Sequence, residues 1–133
     1  LHQPMLIVLT GHVAREEYYT VGTAIEKAVF DEAVQAYRYG FQFLRLADAD
    51  AVSISELRQD MFRQLLDIGY AFMDAGMVFI TAVRGLTPME AQQLKTISDP
   101  FEVLVIDLEK SSPVADFQWS ESVIPDIIQR LKA

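Results

Sequence analysis

The spacing of apolar and polar positions changes several times along the chain, and each change marks a new element. Met5-Leu6-Ile7-Val8-Leu9-Thr10-Gly11 is a continuous apolar run ending in a glycine turn, as expected of a strand covered on both faces. After the turn, Val21, Ala24, Ile25, Ala28 and Val29 recur at helical spacing, with Glu26, Lys27, Asp31 and Glu32 mostly on the other side. Gly40 ends the next turn, and Phe41-Gln42-Phe43-Leu44-Arg45-Leu46 alternates as a strand would, which places Asp48 and Asp50 at its carboxyl end. Ser53 and Glu56 have the spacing of a capping box before a long apolar stripe that Gly76 stops. Met77–Val83 is a second doubly covered strand. Thr87-Pro88-Met89-Glu90 supplies another capping box, with proline at the first helical position of a short helix to about Ile97. Phe101–Leu108 predicts a further buried strand, Ala115–Trp119 a short edge strand, and Ser122 with Pro125 the start of a final helix through Leu131.

Strands alternating with helices require crossover connections, so the order predicts a three-layer α/β fold, a parallel sheet with helices on both faces. With 133 residues and 51% apolar composition, residues 1–133 form one domain. Because the chain starts at Leu1 and enters a strand almost at once, it reads as a piece of a longer polypeptide. A net charge of −8 argues against nucleic acid or an anionic membrane as partner. The absence of cysteine removes disulfides, thiolate catalysis and cysteine-ligated metals. No apolar stretch approaches a membrane span and no signal-type segment opens the chain, so a cytoplasmic location is expected.

The first strand and turn are the usual entry to a phosphate-binding loop, whose pattern requires Gly-Lys-Ser/Thr at the sixth to eighth positions from the first glycine. Here those positions hold Glu16, Glu17 and Tyr18. Such a loop works through backbone N–H groups and a lysine that meet polyphosphate charge. Two carboxylates oppose it, since at an effective dielectric near 20 a pair of unit charges about 4 Å apart is worth roughly 4 kcal/mol.

From Asp60 to Ala82 the chain resembles the adenylylsulfate kinase family, which writes this region as an E-N-I-R-R segment, a D-A-G turn and then V-I-T-A or similar. Asp74-Ala75-Gly76 matches literally. Thr10-Gly11 falls where that family begins its phosphate loop, Asp48-Ala49-Asp50-Ala51-Val52-Ser53 where it has D-G-D-N-V-R, and Ser120-Glu121-Ser122-Val123 where it has S-x-E-S-V. The resemblance implies a P-loop-kinase-like sheet over nearly the whole chain. It also exposes four departures at the chemistry: no loop lysine or hydroxyl, Ala51 and Ser53 for asparagine and arginine, Met61 for asparagine, and a few residues between Asp107 and Pro113 where the family carries a long lid. A kinase without a lid leaves the transferring group open to water.

Each candidate ligand contact has a second reading. Asp48 and Asp50 either hold Mg²⁺ or belong to a solvated loop. Arg63 is the surviving first arginine of the E-N-I-R-R segment. It either receives a sulfate or phosphate, as the resemblance implies, or pairs with Asp60 or Asp67 on its own helix face. Arg84, before Gly85, either forms part of the same anion pocket as Arg63 or lies in a plain turn, and Gly11 is a further candidate ligand contact. Neither His2 nor His12 has metal-site spacing, and no metal ligand set is predicted. Tyr18-Tyr19, Tyr37-Arg38-Tyr39 and Trp119 either stack on adenine or form core edges and interfaces.

The resemblance therefore implies a degenerate, non-catalytic member: a regulatory or structural module in sulfate activation, fused or bound to a sulfate adenylyltransferase or its GTPase subunit, and capable of homodimer formation. No cofactor is expected, and any retained ligand would be an adenylyl-sulfate-type nucleotide near Asp48, Asp50 and Arg63. The alternative is a divergent active adenylylsulfate or other nucleotide kinase using Mg-ATP through an unusual loop from Gly11 to Gly22. A flavodoxin-like or response-regulator-like module is a third reading. Strand order separates it, because kinases of this class insert a strand between the first two in sequence whereas flavodoxin-like sheets pair them directly.

Overall fold

The computed structural model describes residues 2–48, 51–110 and 112–133. Five strands, β1 (Met5–Thr10), β2 (Ala36–Arg38), β3 (Val78–Ala82), β4 (Glu102–Asp107) and β5 (Phe117–Gln118), form one sheet in the order β2-β3-β1-β4-β5. All pairings are parallel. β3 lies between β1 and β2, so the direct pairing of a flavodoxin-like sheet is excluded and the order is that of a P-loop kinase.

Among the described residues, α1 (Arg15–Asp31), α2 (Ala51–Asp74), α3 (Pro88–Ser98) and α4 (Val123–Lys132) cover the two faces. Alternation along β1 divides the core, since successive side chains in a strand point to opposite faces. Met5, Ile7 and Leu9 pack with Ile25, Val29, Ile80, Ile106 and Ile127 on the side of α1 and α4. Leu6 and Val8 pack with Met61, Leu65, Phe79, Leu94 and Val105 on the side of α2 and α3. Each fully buried aliphatic side chain of this kind contributes roughly 1.5–3 kcal/mol.

α2 ends as its sequence predicts. Gly76 takes φ +88, its N–H donates to the Met73 carbonyl at 2.9 Å, and Met77 N–H donates to Phe72 at 3.0 Å, a paired closure that satisfies the last carbonyls. The start differs. Ser53 lies inside the helix rather than at its cap, so the Ser53–Glu56 spacing does not mark the boundary.

The predicted strand over Phe41–Leu46 is instead a 3-10 helix over Phe41–Asp48, and the strand falls earlier, at Ala36–Arg38. Phe41 and Leu44, three apart, are buried together, which suits a threefold turn better than an alternating strand. Gly40 closes β2 at φ +93, and a Cβ there would lie 2.5 Å from Thr81 Oγ1 and 2.7 Å from Leu65 Cδ2. Only glycine permits that conformation and that approach. Asp48 thus ends the 3-10 helix rather than following a strand, and Asp50 lies outside the described residues.

Candidate functional site

Three loops meet above the carboxyl ends of β1, β3 and β4, where open α/β sheets bind ligands. The first is four residues long, Gly11 to Ala14, before α1 begins at Arg15. Residues 15–20 are already helical, so the connection has no room for the curved array of N–H groups that cradles a phosphate. Glu16 and Glu17, which oppose a polyphosphate, occupy the first turn of α1. There their charge favours the helix macrodipole.

Asp107, at the end of β4, is completely buried. Its carboxylate accepts the Glu109 N–H at 2.8 Å and the Ser112 N–H at 2.6 Å. This folds the short connection after β4 back over the sheet. Glu109 then reaches the first loop and accepts the His12 backbone N–H at 2.7 Å. The chain's own carboxylate therefore sits on a backbone donor of the β1–α1 connection. Between these loops lies a cavity of about 180 Å³, lined in part by Thr10, Gly11, His12, Gly85, Asp107 and Glu109. The His12 ring fills space over Gly85, where an added Cβ would lie 3.0 Å from its Cε1.

Arg84 does enter this cluster, but turned to the chain itself. Its Nη1 donates to the Val13 carbonyl, and its guanidinium lies 5.3 Å from the centre of the Tyr18 ring. Tyr18 is buried and donates its hydroxyl to the Gly11 carbonyl. Burial pushes its phenol up to about 12; Arg84 works against that rise, while Glu109 and Asp107 add to it.

Below the cluster, Arg58 of α2 binds Glu90 of α3 through two hydrogen bonds of 2.6 and 2.8 Å and also donates to the Arg84 and Gly85 carbonyls. Burial raises the Glu90 carboxyl, but hydrogen bonds from Arg58 and the Thr87 backbone outweigh it and hold the group below its ordinary value. Glu90 thus serves both the predicted capping box and a link between the two helices.

Of the sequence candidates, the structure brings Gly11 and Arg84 together and separates Arg63 from them. Arg63 is 71% exposed and pairs with Asp60 at 3.4 Å, beside a different groove of about 500 Å³ between α2 and α3. Nothing is described of the Asp48 side chain or of Asp50. Sequence reasoning missed Glu109, which had only its position after a strand to mark it, and at His12 found no more than a lack of metal-site spacing. The donor set does not fit a Mg-nucleotide: no lysine or hydroxyl stands in the first loop, the nearby guanidinium is turned to Val13 and Tyr18 although its buried Nε has no partner, and a carboxylate occupies a backbone donor.

No family profile matches the sequence, and no curated protein matches it. Solved structures do match in fold. An APS kinase of Mycobacterium tuberculosis superposes with a TM-score of 0.75 at 12% identity, each chain covered in full. A hexameric APS kinase from Thiobacillus denitrificans gives 0.73 at 10% identity, over 98% of this chain and 29% of that one. A gluconokinase from Sinorhizobium meliloti 1021 gives 0.52 at 14% identity, over 100% of this chain and 69% of that one. At such identities the likeness establishes the P-loop kinase fold, of the APS kinase type, and nothing about activity.

Proposed function

We propose that this chain is a kinase-fold domain that does not transfer phosphate and acts as a regulatory or structural module. The observation that carries this reading is the Glu109 carboxylate on the His12 backbone N–H, at 2.7 Å. Phosphoryl transfer depends on positioning and on positive groups directed at the moving charge. Here a negative group stands at that end of the sheet, Glu16 and Glu17 follow it, and Arg84 is turned to Val13 and Tyr18. The family resemblance of Asp74-Ala75-Gly76 and its flanks, with the APS kinase type of fold, supports a setting in sulfate activation. The partner would be a sulfate adenylyltransferase or its GTPase subunit, in the same polypeptide or bound to it.

Calorimetric titration with Mg-ATP and with adenylylsulfate tests the reading, alongside an assay for the 3′-phosphorylated product. The expected result is no product above the no-protein background and no saturable heat with Mg-ATP. Turnover by the purified chain would overturn the proposal and identify a divergent enzyme.

A further inference from the structure

β2 is an edge strand of the sheet, and each of its flanks carries an exposed aromatic ring, Phe30 on one side and Tyr37 on the other. Among the described residues the strand pairs with β3 alone. The Gln35 carbonyl accepts from Val78 N–H at 3.0 Å and the Tyr39 N–H donates to Ile80 at 2.9 Å. A parallel ladder engages alternate residues, so Ala36 and Arg38 turn their N–H and C=O groups away from β3. On the α1 side, Phe30 is 73% exposed and shares a groove of about 360 Å³ with Thr23, Glu26, Lys27 and Ala36. On the α2 side, Tyr37 is 39% exposed and stacks on Phe72 with ring centres 4.5 Å apart and planes within 10°.

We infer that this edge is the interface of a two-fold dimer, in which β2 pairs antiparallel with β2 of a second copy of the chain. Self-complementarity selects the second copy as occupant. With the axis at Tyr37, Ala36 stands opposite Arg38 of the second copy, and both present outward backbone groups, so each such pair exchanges N–H and C=O in a hydrogen-bonded register. The short Ala36 side chain leaves the α1 groove open to the opposing Arg38 stem. Glu26 lines that groove and lies 3.3 Å from its own Arg38 Nε, a buried nitrogen with no hydrogen-bond partner, while Nη1 of the same guanidinium donates to Thr23 at 3.2 Å, a bond that the second copy would exchange. The ion pair is held by charge without hydrogen-bond geometry, which leaves the carboxylate able to serve the opposing guanidinium. A register setting Arg38 against Arg38 would oppose like charges directly, so charge fixes the alignment. On the other face the two Tyr37 rings meet at the axis and extend the stack on Phe72.

Sedimentation velocity on the whole chain tests this, at concentrations up to roughly 0.1 mM, where a weak interface still populates its dimer. The expected mass is twice the 15.0 kDa of one chain. Ala36→Pro removes an outward donor from an edge position that tolerates proline, and symmetry removes it twice, so the dissociation constant should rise at least about tenfold. Arg38→Glu should do the same. Arg38→Glu protein and Glu26→Arg protein should each be monomeric alone and associate when mixed, an outcome that pairing within one chain does not produce. Phe30→Ser, on the surface, keeps the test open if a β2 variant fails to fold, and it should also weaken association. A monomer at every concentration, a dimer indifferent to these changes, or a dimer whose cross-links map to the α2–α3 groove would each overturn the inference, as would binding of an extended peptide at β2 by a chain that stays monomeric.

Discussion

Two helices, α1 and α3, begin at the same end of the sheet, and they are started in opposite ways. α3 is capped within four residues: the Thr87 side chain accepts the Glu90 N–H, the Glu90 side chain accepts the Thr87 N–H, and Pro88 sets the first turn. Ala14 at the start of α1 has a suitable extended conformation, φ −63 and ψ 149, yet makes no side-chain cap. Its approach is held from elsewhere, by Tyr18 on the Gly11 carbonyl, Arg84 on the Val13 carbonyl and Glu109 on the His12 N–H. The start of α3 is closed by its own residues, although Glu90 also binds Arg58 of α2. The start of α1, held by distant side chains, ties the β1–α1 and β3–α3 connections and Glu109 after β4 into a single unit, at the carboxyl ends of the strands where open α/β sheets bind ligands.

Changing Glu90 should break this comparison most severely, because its side chain closes the capping box of α3 and is also the partner of Arg58 beneath the cluster. Glu90→Gln loses both charge-assisted bonds and leaves a half-buried guanidinium, for an expected loss of about 2–4 kcal/mol in urea unfolding. The pH dependence has a definite sign. The folded Glu90 carboxyl is held below its unfolded value, so its contribution is present above the unfolded carboxyl range and is lost as pH falls through the folded value. Wild type and Glu90→Gln should therefore differ most near neutral pH and converge in acid. A constant difference down to low pH would show that the effect comes from lost packing rather than ionisation.

Tyr18→Phe addresses the other helix and should cost less, about 1–2 kcal/mol, since it leaves the Gly11 carbonyl without its buried donor. Here the sign is reversed. The folded phenol is raised to about 12, so its contribution is complete below the unfolded value of 10 and is lost as pH rises through the interval between them. Alkaline unfolding curves of wild type should steepen across that interval, and the variant should lack that component. If spectrophotometric titration finds all tyrosines ionising together near pH 10 while the chain stays folded, the buried Tyr18–Gly11 contact is wrong.

The same contrast explains what was legible in the sequence. Thr87-Pro88-Met89-Glu90 holds all the chemistry of its helix start in adjacent residues, and the unbroken apolar runs of β1, β3 and β4 are buried on both faces, so helix start and fold class could both be read directly. Phe41–Leu46 misled because Phe41, Gln42, Phe43 and Leu44, Arg45, Leu46 each alternate locally, whereas the pair buried on one side is Phe41 and Leu44, a spacing of three that a strand would place on opposite faces. The choice between strand and threefold turn is made by Gly40 lying against Thr81 and Leu65, a contact between distant parts of the chain. At the site, Gly11 and Arg84 were found because each follows a strand. Glu109 was not, since its partner His12 is 97 residues away and nothing local marks the pairing.

Glu109→Ala should have the smallest effect on stability and yet distinguish most sharply between the two helix starts. The Glu109 side chain is at the surface, so its loss exposes the His12 N–H to water instead of burying an unpaired donor, and the urea midpoint should barely move. Hydrogen exchange reads the contact itself. With the carboxylate gone, the His12 amide should exchange at least about tenfold faster, while the Glu90 amide, held by the Thr87 side chain, should keep its wild-type rate. Acceleration at both amides would mean the three connections open together and that α3 is not independently capped. An unchanged rate at His12 would mean that Glu109 does not rest on that donor in solution. The non-catalytic reading would then lose the observation that carries it.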